Sequence, residues 1–487
     1  MSKTNSIYRA ISLLTAAGLF ASLCSCAEET DLSEVSETTT SVETASDYTY
    51  PELDLEGRTI SILNMDEYWG MHISICADEL NGESLNDAVW ERNRSIEDRF
   101  NCRLEETRYP AELNLYTIIP AAQQEIMAGD STHDVMYLPD DRLTVFTADN
   151  GLIDLATLEG LNLDGEWWDR AYNEQAKLGD SLWGASGDVN LMSYDSSWCI
   201  FFNEDILTAN GEEAPYDLVR DGDWTIDALH EYCSRLANLN GDASFDWQTN
   251  GAARYGIVTH EHAPDKFIFA ADLNYVERDG DELVFTADSE RFYSFANKLA
   301  SLLGEVGTSL KGNYDDFSPD RGYVYVFMNS RAAFLTAELK TAVNIRDMEA
   351  TFGILPFPKY DESQTNYRTP LMNGLYVMTI PVTSKNPETT AAVMDALCYE
   401  SSRTVIPVYF EGTVSQKGLR NDNSIEMMEL MRSSRGVDIS VVYGWNKALA
   451  EALRAKFYAG DASVASVVAQ YRTSIEAEIE KFLETMN

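Results

Sequence analysis

Apolar positions recur along the chain with two periods, near two and near 3.6 residues, and their succession predicts the elements. A buried strand is expected at 59–63 (TISIL), followed by a polar and aromatic loop at 64–70. An amphipathic helix comes next over 85–100, with Leu85, Val89, Ile96 and Phe100 on one side and Arg92, Arg94, Glu97 and Asp98 mostly elsewhere. The segment 102–107 (CRLEET) alternates as a short strand, 113–128 reads as a helix stopped by Gly129, and 133–138 (HDVMYL) is the next strand. Strand, helix, strand, helix, strand implies βαβ units and a parallel sheet. Ligands bind beyond the carboxyl ends of such strands. The loops 65–69 and 139–142 are therefore expected on one edge.

The stretch 182–207 (LWGASGDVNLMSYDSSWCIFFNEDIL) organises the middle of the chain. It starts apolar, turns on Gly184 and Gly187, and ends in the aromatic run 198–202 before Asn203, which can start a helix. A small-residue break between strand-like segments is how a chain leaves one domain for another. Further on, Thr225 is placed to cap a helix running to Leu236. Strands are expected at 255–258 (YGIV), 282–285, 331–335 (RAAFL), 352–358 (FGILPFP) and 375–381 (LYVMTIP). Helices are expected at 291–303, 387–399, 425–431, 445–457 and 464–486. No internal repeat has a fixed period.

The length, 487 residues, exceeds what one core accommodates and implies two or three domains. Asp and Glu number 80 against 36 Lys and Arg, a net charge of −44, which repels nucleic acid and anionic membrane surfaces, so no nucleic-acid partner is expected. Beyond the leader region the cysteines are Cys76, Cys102, Cys199, Cys233 and Cys398, whose spacing matches no zinc pattern and no CxxC motif. Five is an odd number, so at least one thiol stays free unless it pairs between chains, and most read as small core residues.

At the N-terminus, Lys3 and Arg9 precede an apolar segment over 10–23, too short for a comfortable membrane span. It ends in Leu23-Cys24-Ser25-Cys26, which resembles the bacterial lipobox. That resemblance makes 1–25 a lipoprotein signal peptide and Cys26 the acylated residue; the alternative is an ordinary leader that frees a secreted protein. Residues 26–53 are rich in Ser, Thr and Glu and poor in large apolar residues, and are expected to form a disordered, extended tether.

The ordered set of segments resembles the extracellular solute-binding proteins of ABC importers, family 1, which mostly take oligosaccharides. The pieces are TISIL, NDAVWERNRSIEDRF, DVMYL with DDR, GLIDL, LWGASG, the aromatic strand to FFNEDIL, GDWTIDAL, YGI, SRAAFL, FGILPFP and LYVMTIP with SKNPETTAAVMDAL. No single piece is specific; their order and spacing carry the resemblance. It implies an α/β, two-lobed periplasmic-binding-protein-like fold (type II), with discontinuous lobes joined by crossings near 184–196, 358–369 and 413–418. Lobe 1 would comprise 54–187 plus 362–414, and lobe 2 188–361 plus 415–487. Hinge closure on a ligand would then report occupancy to a membrane permease. The implied protein is a monomeric, non-catalytic, cofactor-free lipoprotein on the extracytoplasmic face of the cell membrane.

Sugar sites combine flat aromatics with planar polar side chains. Asp141 and Arg142 lead, because they follow a strand at its carboxyl end and resemble the Asp-Arg pair that contacts sugar hydroxyls in the maltodextrin-binding members. The sequence departs from those members at Leu138, where they place a stacking Trp. Asp66, Tyr68 and Trp69 follow the first strand on the same edge. Tyr194 and Ser196 flank the first crossing, beside a Trp198 that reads as core. Thr336 and Glu338 follow RAAFL, and Asn373 and Gly374 precede LYVMTIP, with a close backbone approach at Gly374. Tyr443 and Trp445 occupy the region where the resemblance implies a stacking aromatic. Trp167 and Trp168 read as a lobe-packing pair.

Metal chemistry is set aside. His260 and His262 beside Glu261 sit in a polar loop where histidines are solvated, and 240–246 lacks the full calcium-loop pattern. There is no GxSxG, HExxH or phosphate-cradling Gly-Lys-Thr motif. Two alternatives stand beside the carbohydrate reading. A cationic ligand such as a polyamine would want several cleft carboxylates and an aromatic cage, and Arg142 argues against it. A surface glycoside-active enzyme needs a carboxylate pair, which 80 carboxylates supply by number alone.

Overall fold

Strands buried on both faces read as continuous apolar runs rather than alternating ones, and the central strands of the two larger sheets are such runs. The computed structural model describes residues 48–68, 70–110, 116–280, 282–313, 315–414, 419 and 422–486. Cys26, most of the tether and Trp69 lie outside them. By internal contacts the chain divides into Met1–Thr49 and Tyr50–Asn487, and the fold is that of the second unit.

In chain order the strands are β1 Arg58–Met65, β2 Cys102–Tyr109, β3 Val135–Pro139, β4 Trp198–Asn203, β5 Tyr255–Thr259, β6 Val276–Asp279 and β7 Glu282–Phe285. They continue with β8 Ser309–Lys311, β9 Ala332–Glu338, β10 Phe352–Leu355, β11 Thr369–Pro370, β12 Tyr376–Thr379 and β13 Arg435–Gly436. The first sheet has the order β12-β3-β1-β2, with β1 parallel to β2 and β3 and β12 antiparallel at the edge. The second has the order β10-β4-β9-β5-β8, with β5 parallel to β9 and β8, and β4 antiparallel to β9 and β10. β3, β4 and β9 are buried along their whole length. The expected edge strand at 282–285 pairs with β6 in a separate hairpin.

The helix Ser84–Phe100 covers the first sheet and is itself covered by Pro387–Thr404. That second cover explains a departure from the sequence pattern: Arg92 is buried with Val89, Ile96 and Phe100. Its guanidinium is satisfied by Ser401 Oγ at 2.8 Å, Asn93 Oδ1 at 2.9 Å and the carbonyl of Ile75. Trp167 and Trp168 pack inside this lobe, where both indoles donate to Asp395 Oδ1, at 2.9 and 2.7 Å. The helix expected over 113–128 begins at Ile119, with Pro120 in its first turn; 111–115 lie outside the described residues.

Gly184 and Gly187 do not form the break between lobes. Ala185 exchanges both backbone hydrogen bonds with Met378 of β12, at 2.9 Å each. A Cβ on Gly184 would lie 2.6 Å from Val377 Cγ2, and one on Gly187 2.7 Å from the Trp168 ring. These glycines allow 182–187 to press onto the first lobe. The chain leaves afterwards, through the short helix Met192–Asp195 into β4.

It returns from β10 through 356–375 to β12, and β11 on this return pairs in parallel with β13. The third passage, expected near 413–418, involves residues outside the described ones. After it, helix Asp422–Ser433 packs on β10, and Lys447–Tyr458 packs on Glu290–Gly304 and Ala465–Met486, all on the second lobe. Arg435 pins the crossings together: it reaches Ser193 Oγ at 3.2 Å and Asp169 Oδ2 at 3.2 Å and lies 4.0 Å over the Tyr194 ring.

Cys76, Cys102, Cys199, Cys233 and Cys398 are buried free thiols, and burial pushes Cys76 up to about 12 and Cys102 to about 11. Among the described residues no helix is long and apolar enough to cross a membrane.

Candidate ligand-binding cleft

β1 and β3 are parallel, so their carboxyl ends emerge on one edge, and with them Tyr68 and the short 3₁₀ turn Asp140–Arg142. In the second sheet the start of β4 faces the end of β9, with Trp198 opposite Glu338, and β5 ends beside β9 with Thr259 opposite Thr336. Trp198, Glu338 and the segment after Thr259 therefore share one edge. The two edges enclose a cavity of about 270 Å³. Tyr68, Tyr116 and Asp141 line it from the first lobe; Trp198, His260, His262, Lys266 and Glu338 from the second; Met372 and Asn373 from the return crossing. Gly444, Asn446, Lys447, Glu451 and Arg454 close the remaining side.

Buried polar atoms nearly always have hydrogen-bond partners. Here Asp141 Oδ1, Trp198 Nε1, His262 Nδ1, Glu338 Oε2 and Asn446 Nδ2 are buried without one among the described residues, and all five belong to this lining. Each such group left unsatisfied costs about 1–3 kcal/mol, and five of them gather in this one lining. Two are carboxylate acceptors and two are N–H donors, a mixture that hydroxyl groups satisfy in both senses.

The charges balance. Lys266, Lys447 and Arg454 stand against Asp141, Glu338 and Glu451 in a chain of net charge −44. Tyr116 donates to Asp141 Oδ2 at 2.9 Å, and Arg142 Nη1 donates to the same oxygen at 3.0 Å while lying 4.2 Å over the Tyr116 ring. Burial raises the Asp141 carboxyl, opposed by Arg142 and Tyr116. Asp140, buried behind it, is raised well above the usual range by burial and by Asp141, and accepts from Tyr172 Oη and Gly374 N, both at 3.0 Å.

Lys266 Nζ donates to Leu371 O and to Asn373 Oδ1, each at 2.7 Å, and lies 5.7 Å from the Trp198 ring centroid; burial lowers it to about 8. Arg454 Nε is paired with Asp265 Oδ2 at 2.8 Å. The rings of His260 and His262 stack at 5.2 Å. Burial lowers His260 to about 4 and His262 further, so both are neutral, and His260 Nδ1 accepts from the His262 amide at 3.1 Å. The expectation of a solvated loop gives way here: the pair forms part of the cleft wall.

Of the residues singled out in the sequence, Tyr68, Asp141, Glu338 and Asn373 line the cavity. Arg142 stands behind Asp141, Thr336 Oγ1 accepts from the His260 amide at 3.2 Å beneath the wall, and Gly374, at φ +78°, brings its amide to Asp140. Asp66 is exposed and turns its carboxylate to the Glu67 amide at 2.9 Å. Tyr194 is buried among Leu191, Val405 and Tyr409, with its hydroxyl donating to Asp188 Oδ1 at 2.5 Å, and Ser196 is fully buried on Ser193 O. Tyr443 and Trp445 are packing residues. Their rings stack at 5.1 Å and lie against Phe482, and Tyr443 Oη donates to Ala176 O at 2.8 Å. The apolar side of Ala465–Met486 claims them, and their neighbours Gly444 and Asn446 face the cavity instead. Trp69 lies outside the described residues.

Trp198, read as core, is only 2% exposed yet belongs to the cavity lining, and its buried indole N–H has no partner among the described residues. Tyr116, Lys266 and Asn446 carry no signal in the sequence pattern. His260 and His262 follow the carboxyl end of β5, so the edge rule applied to Asp141 would have found them. The loop 240–246 is shaped by Asp242, whose Oδ2 accepts from the amides of Ala252 and Ala253, both at 2.7 Å.

Two α/β lobes, joined by repeated crossings and enclosing a cleft between sheet edges, make up the fold. No protein-family model matches the sequence. No curated protein matches it either. Solved structures match in fold. The ABC substrate-binding protein Lmo0181 from Listeria monocytogenes, in complex with cycloalternan, gives a TM-score of 0.55 at 12% identity over 87% of this chain and 99% of that one. A cyclo/maltodextrin-binding protein complexed with maltotetraose gives 0.58 at 12% identity over 86% of this chain and 97% of that one. UgpB from Mycobacterium tuberculosis, in complex with glycerophosphocholine, gives 0.58 at 14% identity over 87% and 99%. The likeness is one of fold: this chain has the two-lobed fold of the extracellular solute-binding proteins of family 1.

Proposed function

We propose that this protein is a non-catalytic receptor that captures a short, neutral carbohydrate between its lobes and delivers it to an ABC importer permease. In this reading Cys26 carries the lipid that holds it on the extracytoplasmic face of the membrane. The observation that carries the reading is that five donors and acceptors without a partner among the described residues belong to the lining of one charge-balanced cavity. Its volume, about 270 Å³, lies just below the range of about 300–1,000 Å³ typical of small-molecule pockets, which favours one or two sugar rings over a long chain. A polyamine fits less well, because three cations already face the cavity and Lys266 lies against Trp198.

One feature favours a second reading, a glycoside-active enzyme: Asp141, with its raised carboxyl, faces the same cavity as Glu338. The same experiment separates the two. The purified chain without its leader is screened by thermal shift against mono-, di- and oligosaccharides, glycerophosphocholine, spermidine and amino acids. Ligand at about 100 times Kd stabilises the native state by about 2.7 kcal/mol. A saturable shift with one glycan, recovered intact by mass spectrometry, supports the receptor. Cleaved glycan establishes the enzyme, and a shift with spermidine alone overturns the carbohydrate reading.

A further inference from the structure

Lys266 is only 4% exposed, yet it sits where three parts of the fold meet. It belongs to the second-lobe helix Ala263–Ala270, and its ammonium holds Leu371 O and Asn373 Oδ1 of the return crossing, each at 2.7 Å. One residue on, the Gly374 amide is held by Asp140 of the first lobe, and Asp140 N in turn donates to Leu375 O at 2.8 Å. Asp141, the neighbour of Asp140, and Trp198, the neighbour of Lys266, both line the cavity, and each carries a buried polar atom without a partner among the described residues. An ammonium has three N–H groups, and two are spent on the crossing.

We propose that Lys266 is the charge that keeps the empty cleft from closing: closure strips its ammonium of water, the crossing satisfies two of its N–H groups, and an oxygen of the bound solute takes the third. This deepens the proposed function and rests on the cavity being a ligand cleft. It supplies the regulation a receptor needs, since closure without cargo would signal a false load.

The charged and titratable groups around the amine are Asp265 on its own helix, Glu338 on β9, Asp140 on the first lobe and Arg454 on Lys447–Tyr458, with neutral His260 and His262 beside them. Burial outweighs the three carboxylates and leaves the amine at about 8, against about 10.4 for a solvated lysine. A group lowered in the closed form binds fewer protons there. Closure is therefore opposed while the amine is charged in both forms and becomes easier as pH rises through the interval. From about pH 7 to about pH 9.5 the closure equilibrium of the ligand-free chain shifts by roughly 25-fold.

The test uses small-angle X-ray scattering of the full ligand-free chain at these two pH values, with circular dichroism as the check on folding. The wild type is expected to contract on going to the higher pH. Lys266→Met, with no charge to bury, is expected to be contracted at both. Lys266→Arg, whose guanidinium stays protonated, is expected to remain extended at both. A wild type with no pH response, or a Lys266→Met chain that follows the wild type, overturns the proposal. Should the methionine variant not fold, a pH response surviving in Lys266→Arg overturns it. No sugar enters the measurement, so failure of the carbohydrate screen leaves this result standing.

Discussion

Replacing Arg435 by Met should cost more than any single change in the cleft. Arg435 is 6% exposed and lies on β13, alongside the return crossing. Its guanidinium reaches Asp169 of the first lobe and Ser193 of the first crossing and covers Tyr194, whose hydroxyl holds Asp188. Methionine fills much of the same space but leaves Asp169 buried without its cation and Asp188 with only the influence of Arg432. Breaking one side of a buried ion pair costs about 3–5 kcal/mol, most of it the orphaned charge. Asp188 is already raised to about 6 by burial even with Arg435 beside it. A carboxyl raised in the folded state binds protons that the unfolded state releases, so lowering the pH through 6 relieves it. Urea unfolding should therefore show a large deficit for Arg435→Met at pH 7 that shrinks toward pH 5. Arg435→Met with Asp169→Asn should recover part of the loss, because the second change removes the carboxylate that the first left without its ion-pair partner. A single-variant deficit under about 1 kcal/mol, or a double variant equal to the sum of the singles, would refute this account of the hinge.

Asp141→Asn should weaken binding of whichever glycan shifts the melting temperature by about 10- to 100-fold, the worth of a charge-assisted hydrogen bond, as read by isothermal calorimetry. Gly184→Val should destabilise by about 1–3 kcal/mol in denaturant unfolding, because its Cβ would meet Val377 Cγ2 at 2.6 Å and Leu143 Cδ1 at 2.9 Å. His260 is lowered to about 4, so the stability it confers is fully present above about 6.5 and is lost as pH falls. His260→Gln should flatten the acid limb of the stability curve between those values by about 2–3 kcal/mol. The thiols of Cys76, Cys102, Cys199, Cys233 and Cys398 should react with Ellman's reagent only after denaturation, since all five are buried and unpaired.

The elements legible in the sequence were those whose reasons are local. TISIL, HDVMYL and RAAFL carry enough buried apolar residues in a row to specify strands, and they became β1, β3 and β9. Parallel pairing then placed Tyr68 and Asp141 on one edge, because βαβ connectivity puts every carboxyl end on the same side. Tertiary structure decided the rest. Trp445 and Trp198 are both aromatic residues beside a crossing, and sequence has no means of ranking them. Tyr443 stacks on Trp445 and Phe482, on the last helix, packs against it, while Lys266 lies over the ring of Trp198, whose N–H has no partner among the described residues. Gly184 read as a hinge because small residues permit bending, but it is small because Val377, nearly two hundred positions later, packs against it. Lys266 gave no local signal, since its acceptors at 371 and 373 lie more than a hundred residues away. A periodic pattern determines which face of an element is buried. It does not determine what arrives to cover that face, and in this protein the arriving residues decide whether a polar atom finds a partner within the fold.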